Sequence, residues 1–239
     1  MNMKEILFIV CTHGDETMPL EVMKGVISEY GLENWERKFE LLIANPKALE
    51  KKVRYIDTDL NRVYPGNLDS ELYEEKRAAE IFEYAKNFKC TIDIHTTTAD
   101  TGLFTLITKN TEKNSALAKK MLPENIVIWE STSGRKTGPI TSTIDNSCEL
   151  ECSIVKKEYE NQLKQTVLNL ILDKKSDPDE KKIYRVTGSI NKNEVIDTKD
   201  ISDFKEYNYK GKTVFPLLVN VYNDKLCYIM ELKENLNSV

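Results

Sequence analysis

The chain contains only two histidines, and each stands in a run of residues suited to metal chemistry. His13 opens the run His13-Gly14-Asp15-Glu16. A histidine and a glutamate three positions apart can converge on one metal ion. Zinc accepts imidazole nitrogen and carboxylate oxygen, and its catalytic sites keep an open position beside such ligands. His95 closes the run Asp93-Ile94-His95, with three threonines after it. In a strand, Asp93 and His95 share a face, so Asp93 is placed to fix the second ring nitrogen of a metal-bound His95. A third run, Arg54-Tyr55-Ile56-Asp57-Thr58-Asp59-Leu60-Asn61-Arg62, carries two guanidinium groups, which grip carboxylates through paired N–H donors. Each run alone has a plainer explanation. The first suits an acid-rich helix N-terminus, the second a strand end entering solvent, and the third a surface loop of mutually paired charges.

The elements that must position these runs follow from hydrophobic periodicity. Residues Glu5 to Val10 form an unbroken apolar run after the first acid, the pattern of a strand covered on both faces. Leu20, Val22, Met23, Val26 and Ile27 recur at helical spacing, and Gly31 can end that helix. Phe39 to Ala44 reads as a second strand, left through the Asn45-Pro46 turn. Lys47 to Asn67 reads as a long polar loop, a kind that is often functional. Helices are expected over Leu68 to Phe88, Asn114 to Leu122 and Val155 to Lys174; strands over Thr91 to His95, Leu103 to Thr108, Ile126 to Trp129 and Cys148 to Cys152. Ser131 to Asn146 reads as a Ser/Thr/Gly-rich loop. Both histidine runs thus sit at or just past strand ends, where α/β folds keep their chemistry.

The expected architecture is a three-layer α/β/α fold around a central mixed, mostly parallel sheet. Beyond a linker over Ser176 to Glu180 the helices stop. Lys182 to Ile190, Thr213 to Val221 and Leu226 to Leu232 read as strands. The division expected is a catalytic domain over residues 1–175 and a β-rich C-terminal subdomain over 181–239. A length of 239 residues accommodates one large core. The net charge of −5 and the absence of a basic stripe argue against a nucleic-acid partner. No apolar run is long enough to span a membrane, and the short run after Lys4 is interrupted by Glu5, unlike a signal peptide. Five scattered cysteines without a Cys-x-x-Cys pair fit free thiols in a reducing, cytoplasmic setting.

Taken together and in order, the three runs resemble the aspartoacylase and succinylglutamate desuccinylase family, a branch of the zinc carboxypeptidase-like hydrolases. His13 to Glu16 resembles that family's first metal motif, Asn45-Pro46 and Arg54 to Arg62 its arginine loop, and Asp93 to His95 its third-ligand strand. Thr213-Val214-Phe215-Pro216 and Val219-Asn220 resemble a C-terminal stretch of the family. The resemblance implies one zinc ion per chain held by His13, Glu16 and His95, with Arg54 polarising the scissile carbonyl. Asn61 and Arg62 would bind the carboxylate of a small anionic N-acyl amino acid, whose amide bond is the one cleaved. A glutamate on a later strand would act as base and then acid. Glu149 and Glu151 both qualify, and Glu151-Cys152-Ser153 is the nearer match to the family's Glu-apolar-Gly pattern.

Three departures stand out, the first bearing on the site's geometry and the other two on specificity. Ser153 replaces that glycine. Thr141 stands where the family has an arginine, which leaves Arg135 as the substitute. The family's substrate-contacting tyrosine aligns with Asp224, with Tyr222 close by. These departures point to a substrate other than N-acetylaspartate. Two alternatives stay open: a carboxypeptidase-like peptidase acting on a larger anionic substrate, and a metal- or ligand-binding protein that has lost catalysis. Self-association into a homo-oligomer is left open.

Overall fold

In the computed structural model of the chain, residues 4–31, 38–130, 136–174, 181–194, 200–234 and 236 are described. The apolar run after Lys4 forms β1 (Lys4–Val10), and Leu7 to Val10 are fully buried. It is followed by α1 (Met18–Glu29), β2 (Phe39–Ile43), α2 (Pro46–Lys51), α3 (Tyr73–Ala85) and β3 (Phe88–Thr97). Then come β4 (Leu103–Ile107), α4 (Glu112–Lys119), β5 (Asn125–Ile128), α5 (Ile140–Thr143), β6 (Ser147–Ser153) and α6 (Lys157–Ile171). The C-terminal part adds β7 (Lys182–Asn191), β8 (Tyr207–Tyr209), β9 (Lys212–Leu217) and β10 (Lys225–Lys233).

The strands form one mixed sheet in the order β2-β1-β3-β6-β4-β5-β7-β10-β9-β8. The pairs β1/β2, β1/β3, β3/β6, β4/β5 and β5/β7 are parallel. β4 runs antiparallel to β6, and β7, β10, β9 and β8 are joined by antiparallel pairs. The mixed, mostly parallel sheet therefore matches the expected fold class. The C-terminal strands extend it through β7, and the linker expected over Ser176 to Glu180 lies outside the described residues.

Strand alternation assigns the two faces different work. Phe8, Val10, Ile92, Ile94, Cys148 and Leu150 point to one face, where Met23 and Val26 of α1 and Leu163 and Val167 of α6 cover them. Leu7 and Ile9 point to the other, beneath Leu60 and Tyr64 of the long loop, Ala78 and Ile81 of α3, and Ile140 of α5. The register aligns Ile9 with Asp93, Asp93 with Glu149, and His95 with Glu151. All the carboxylates and imidazoles on these strands therefore belong to the second face.

Several boundaries differ from the sequence expectation. The helix expected from Leu68 begins at Tyr73, whose N–H is capped 2.8 Å away by Asp57 Oδ2, and residues 68–72 lie outside any helix. The long polar loop holds α2, with Asn45 Oδ1 capping Ala48 N at 3.2 Å, and a one-turn 3-10 helix, Leu60–Arg62. The Ser/Thr-rich loop contains the four-residue α5. The strand expected to run to Val221 stops at Leu217, because Leu218 (φ 57°) and Asn220 (φ 62°) adopt left-handed backbone that a ladder excludes. Among the described residues no helix is long and apolar enough to cross a membrane.

Candidate active site

The C-terminal ends of β1 and β3 deliver the two histidines to one spot. Cys11 leaves β1 with φ 54°, and the chain turns so that Thr12 and His13 approach β3. Gly14 sits against α2 so closely that a Cβ would lie 2.1 Å from the Ala48 carbonyl carbon. Only glycine permits this approach, which seats the His13–Glu16 turn on α2. Gly14 N also donates to Arg54 O at 3.1 Å, tying that turn to the arginine loop.

His13, Glu16 and His95 each offer a ligand atom, and these atoms all lie within 4.8 Å of one another. His13 Nδ1 is 2.7 Å from Glu16 Oε1, and His95 Nδ1 is 3.3 Å from Glu16 Oε2. The backbone N–H of Thr96 donates to Glu16 Oε2 at 2.8 Å. Each imidazole turns its other nitrogen to a carboxylate: His13 Nε2 to Asp59 Oδ1 and His95 Nε2 to Asp93 Oδ2, both at 3.1 Å. Asp93 is fully buried and accepts from Thr12 Oγ1 at 2.9 Å. Two imidazoles and a carboxylate facing inward, each imidazole backed by a second carboxylate, match the donor types and outer hydrogen bonds that zinc sites use. The residues fit the metal.

The site's electrostatics follow from this packing. Burial opposes ionisation of Glu16, but hydrogen bonds and charge from His13 and His95 outweigh it and hold the carboxyl well below its usual range. Asp59 is also held low: against burial, His13, Arg54 and Arg62 favour its charged form. His95 is pushed up, since Asp93 and Glu16 overcome the burial that disfavours its cation.

The two candidate bases separate in depth. Glu151 lies beside His95 in the β3/β6 register, and Glu149 beside Asp93. Burial, then Glu16, Glu149 and Asp93, raise the Glu151 carboxyl to about 8 against the opposing effect of His95. Glu149 is also raised by burial, and its Oε1 accepts from Thr141 Oγ1 at 2.6 Å. Thr141 Oγ1 is in turn 2.7 Å from Thr108 Oγ1. The position expected to carry an arginine thus holds a hydroxyl turned to a buried acid.

Arg54 lies over the cluster, 3.3 Å from Asp59 Oδ2 and 3.7 Å from Glu16 Oε1. Asn61 is buried at the site; its Nδ2 is 3.5 Å from His95 Nε2, and its Oδ1 has no hydrogen-bond partner. Arg62 bonds its own loop at Asn61 O, 2.8 Å away, and its charge acts on Asp59, Glu149 and Tyr222. Burial and the nearby Tyr228 and Glu151 raise the Tyr222 hydroxyl to about 12, with Arg62 and Arg54 opposing. Tyr222 is on the loop after β9, where Val219 N donates to Asp203 Oδ1 at 3.1 Å. Its ring meets Tyr228 edge-on at 5.5 Å, and Tyr228 meets Trp129 at 4.3 Å. Arg135 lies outside the described residues. The structure thus brings His13, Glu16, His95, Asp93, Arg54, Asn61, Glu151 and Tyr222 to one site, with Arg62 at its edge. Sequence reasoning missed the roles of Asp59, Thr12 and the Thr96 N–H. Asp59 had a signal, its place inside the arginine run; the other two had none.

The fold is shared with solved structures of an aminoacylase and a succinylglutamate desuccinylase. Murine aminoacylase 3 superposes with a TM-score of 0.74 at 20% identity, over 98% of this chain and 96% of that one. The succinylglutamate desuccinylase from Chromobacterium violaceum superposes with a TM-score of 0.70 at 15% identity, over 97% and 85%. Residues 2–171 match the model of the succinylglutamate desuccinylase/aspartoacylase catalytic domain, and the chain belongs to that family. In sequence it is 36% identical to a probable aspartoacylase of Prochlorococcus marinus subsp. pastoris over 107 residues, 43% of this chain and 36% of the relative. It is 34% identical to the N-acyl-aromatic-L-amino acid amidohydrolase (carboxylate-forming) of Xenopus tropicalis over 117 residues, 44% of this chain and 37% of the relative. The matches therefore span little more than a third of these curated relatives.

Proposed function

We propose that the chain is a zinc-dependent amidohydrolase that cleaves the amide bond of a small N-acyl amino acid carrying a carboxylate. The observation that carries this reading is the His13–Glu16–His95 cluster with Glu151 on the neighbouring strand, beside His95. His13, Glu16 and His95 would hold the zinc. When bound there, zinc polarises a carbonyl oxygen and lowers the pKa of a water toward ~7.

The chain's own residues do the rest. Glu151 removes a proton from the attacking water as the C–O bond forms, and returns it to the departing nitrogen as the C–N bond breaks. Burial that eases protonation of the Glu151 carboxyl favours its taking up that proton and giving it back. The Arg54 guanidinium, beside Glu16, steadies the negative charge that develops on the carbonyl oxygen. Arg62 takes the substrate carboxylate, and Asn61, with its unfilled buried Oδ1, binds the same amino-acid end. Asp93 and Asp59 hold the two imidazoles in orientation.

A specific observation favours an aromatic over an acidic side chain on that substrate. Thr141 brings no positive charge and is engaged by Glu149, while Tyr222, whose ring meets Tyr228 and through it Trp129, lies near enough to Glu151 to feel its charge. The similarity to the Xenopus tropicalis enzyme agrees with this choice and that to the probable aspartoacylases with an acidic side chain, so the test includes both. The test is release of free amine from N-acetylaspartate, N-succinylglutamate, N-acetyl aromatic amino acids and neutral amides lacking a carboxylate, with and without chelator. Chelator-sensitive release from carboxylate-bearing members, strongest for the aromatic ones, is expected. Metal-loaded protein that releases amine from none of them would refute the hydrolase reading, and a preference for N-acetylaspartate would refute the aromatic preference.

A further inference from the structure

Glu74, in the first turn of α3, is fully buried. A buried carboxylate is costly unless its oxygens are hydrogen-bonded, and Glu74 is fully engaged. Oε1 accepts from Ile56 N at 2.7 Å and from Asn45 Nδ2 at 3.1 Å. Oε2 accepts from Asp57 N at 3.0 Å and Thr58 N at 3.2 Å. Four donors fill the four acceptor positions a carboxylate offers. Three of them are consecutive backbone N–H groups lying between Arg54 and Asp59. The exchange is reciprocal, since Asp57 Oδ2 caps Tyr73 N, the residue before Glu74. The fourth donor, Asn45, links the same carboxylate to the chain leaving β2, where Asn45 N bonds Cys11 O at 3.1 Å.

We propose that Glu74 is a positioning residue for the hydrolytic site, a buried clamp that fixes the 56–58 backbone and thereby sets Arg54 and Asp59. Asp59 carries the effect to the metal cluster, because its Oδ1 meets both His13 Nε2 and Asn61 N, and its Oδ2 meets Arg54. The clamp touches none of the atoms at the centre. It selects one backbone path for a loop that would otherwise have many, and places a guanidinium and an imidazole partner together. The clamp's catalytic role rests on the hydrolase reading; its existence does not.

The test is Glu74→Gln, which keeps the shape but leaves one oxygen to serve four donors. In the metal-loaded protein, kcat/KM on the best panel substrate falls about 10- to 100-fold, as expected for displaced catalytic groups, while zinc content stays at the unaltered level. In an Arg54→Ala background the same substitution lowers kcat/KM by a clearly smaller factor, because one of the two groups it positions is already gone. Unchanged activity in Glu74→Gln, or an equal loss in both backgrounds, would overturn the proposal. Hydrogen exchange on the unaltered protein gives a second readout if the variant does not fold. The amides of Ile56, Asp57 and Thr58 exchange at least about 100-fold more slowly than in a free peptide; free exchange there also overturns the clamp. Absence of hydrolysis by the unaltered protein refutes the enzyme reading instead, and leaves exchange to decide the clamp.

Discussion

Replacing Glu151 by glutamine removes a proton acceptor beside His95 and little else. The β3/β6 register sets Glu151 opposite His95 and Glu149 opposite Asp93. Two residues along a strand is about 6.6 Å, whereas proton transfer needs donor and acceptor within about 3.2 Å or one water between them. One glutamate can therefore serve the reacting atoms, and it is the one level with the ligand. General acid–base catalysis contributes about 100- to 10,000-fold, so kcat in Glu151→Gln falls by that factor, about 3–5 kcal/mol of barrier. Zinc content is unchanged, because Glu151 is not among the ligands. Glu149→Gln, whose carboxyl is already held toward its neutral form and bonded to Thr141, changes kcat by less than about tenfold, since one such hydrogen bond is worth about 1 kcal/mol net. The assay is steady-state amine release on the best panel substrate, with metal analysis of each variant. Turnover that survives Glu151→Gln and is lost in Glu149→Gln would refute the register argument.

Three further outcomes follow from the same geometry. Asp93→Asn, which weakens the hold on His95 Nε2, lowers zinc affinity about 10- to 100-fold, read by competition with a metal indicator; unchanged affinity would contradict the role given to Asp93. In chelated protein, Glu151 keeps its proton up to about 8 while the unfolded chain loses it near the ordinary 4.5. The folded state then binds more protons across that window, so this group's contribution to stability falls as pH rises from about 4.5 to 8 and is flat above. Denaturant unfolding from pH 5 to 8 shows a shallower decline in Glu151→Gln, and identical slopes would sink the assignment. Arg62→Ala, which removes a charge at the site's edge, raises KM about tenfold or more with kcat little changed; a purely kcat effect would contradict substrate-carboxylate binding.

Much of this site could be read before any fold was known, for definite physical reasons. Strand alternation alone put Asp93 and His95 on one face, and the β3 register keeps them there. Only two histidines were available, so the cluster had few possible members. Depth was harder to read: Glu149 and Glu151 share a face in any strand, and only the alignment of β6 with β3 separates them. Thr141 looked like a vacancy for an arginine, and its hydroxyl proves to be spent on Glu149. α5 hid in residues of weak helix propensity, Ile140-Thr141-Ser142-Thr143, where tertiary packing of Ile140 decides. Glu74 gave no signal, because an acid in a helix's first turn is ordinarily a solvated response to the helix dipole. The antiparallel entry of β4 likewise depends on long-range pairing that periodicity does not encode.

The most direct measurement is zinc content by elemental analysis of the unaltered protein and of His95→Ala after both are stripped and reloaded. One zinc per chain in the unaltered protein, and a loss of most of it in His95→Ala together with amine release, is the expected result. Full zinc occupancy in His95→Ala, or amine release that survives stripping, would contradict the metal centre assigned to His13, Glu16 and His95.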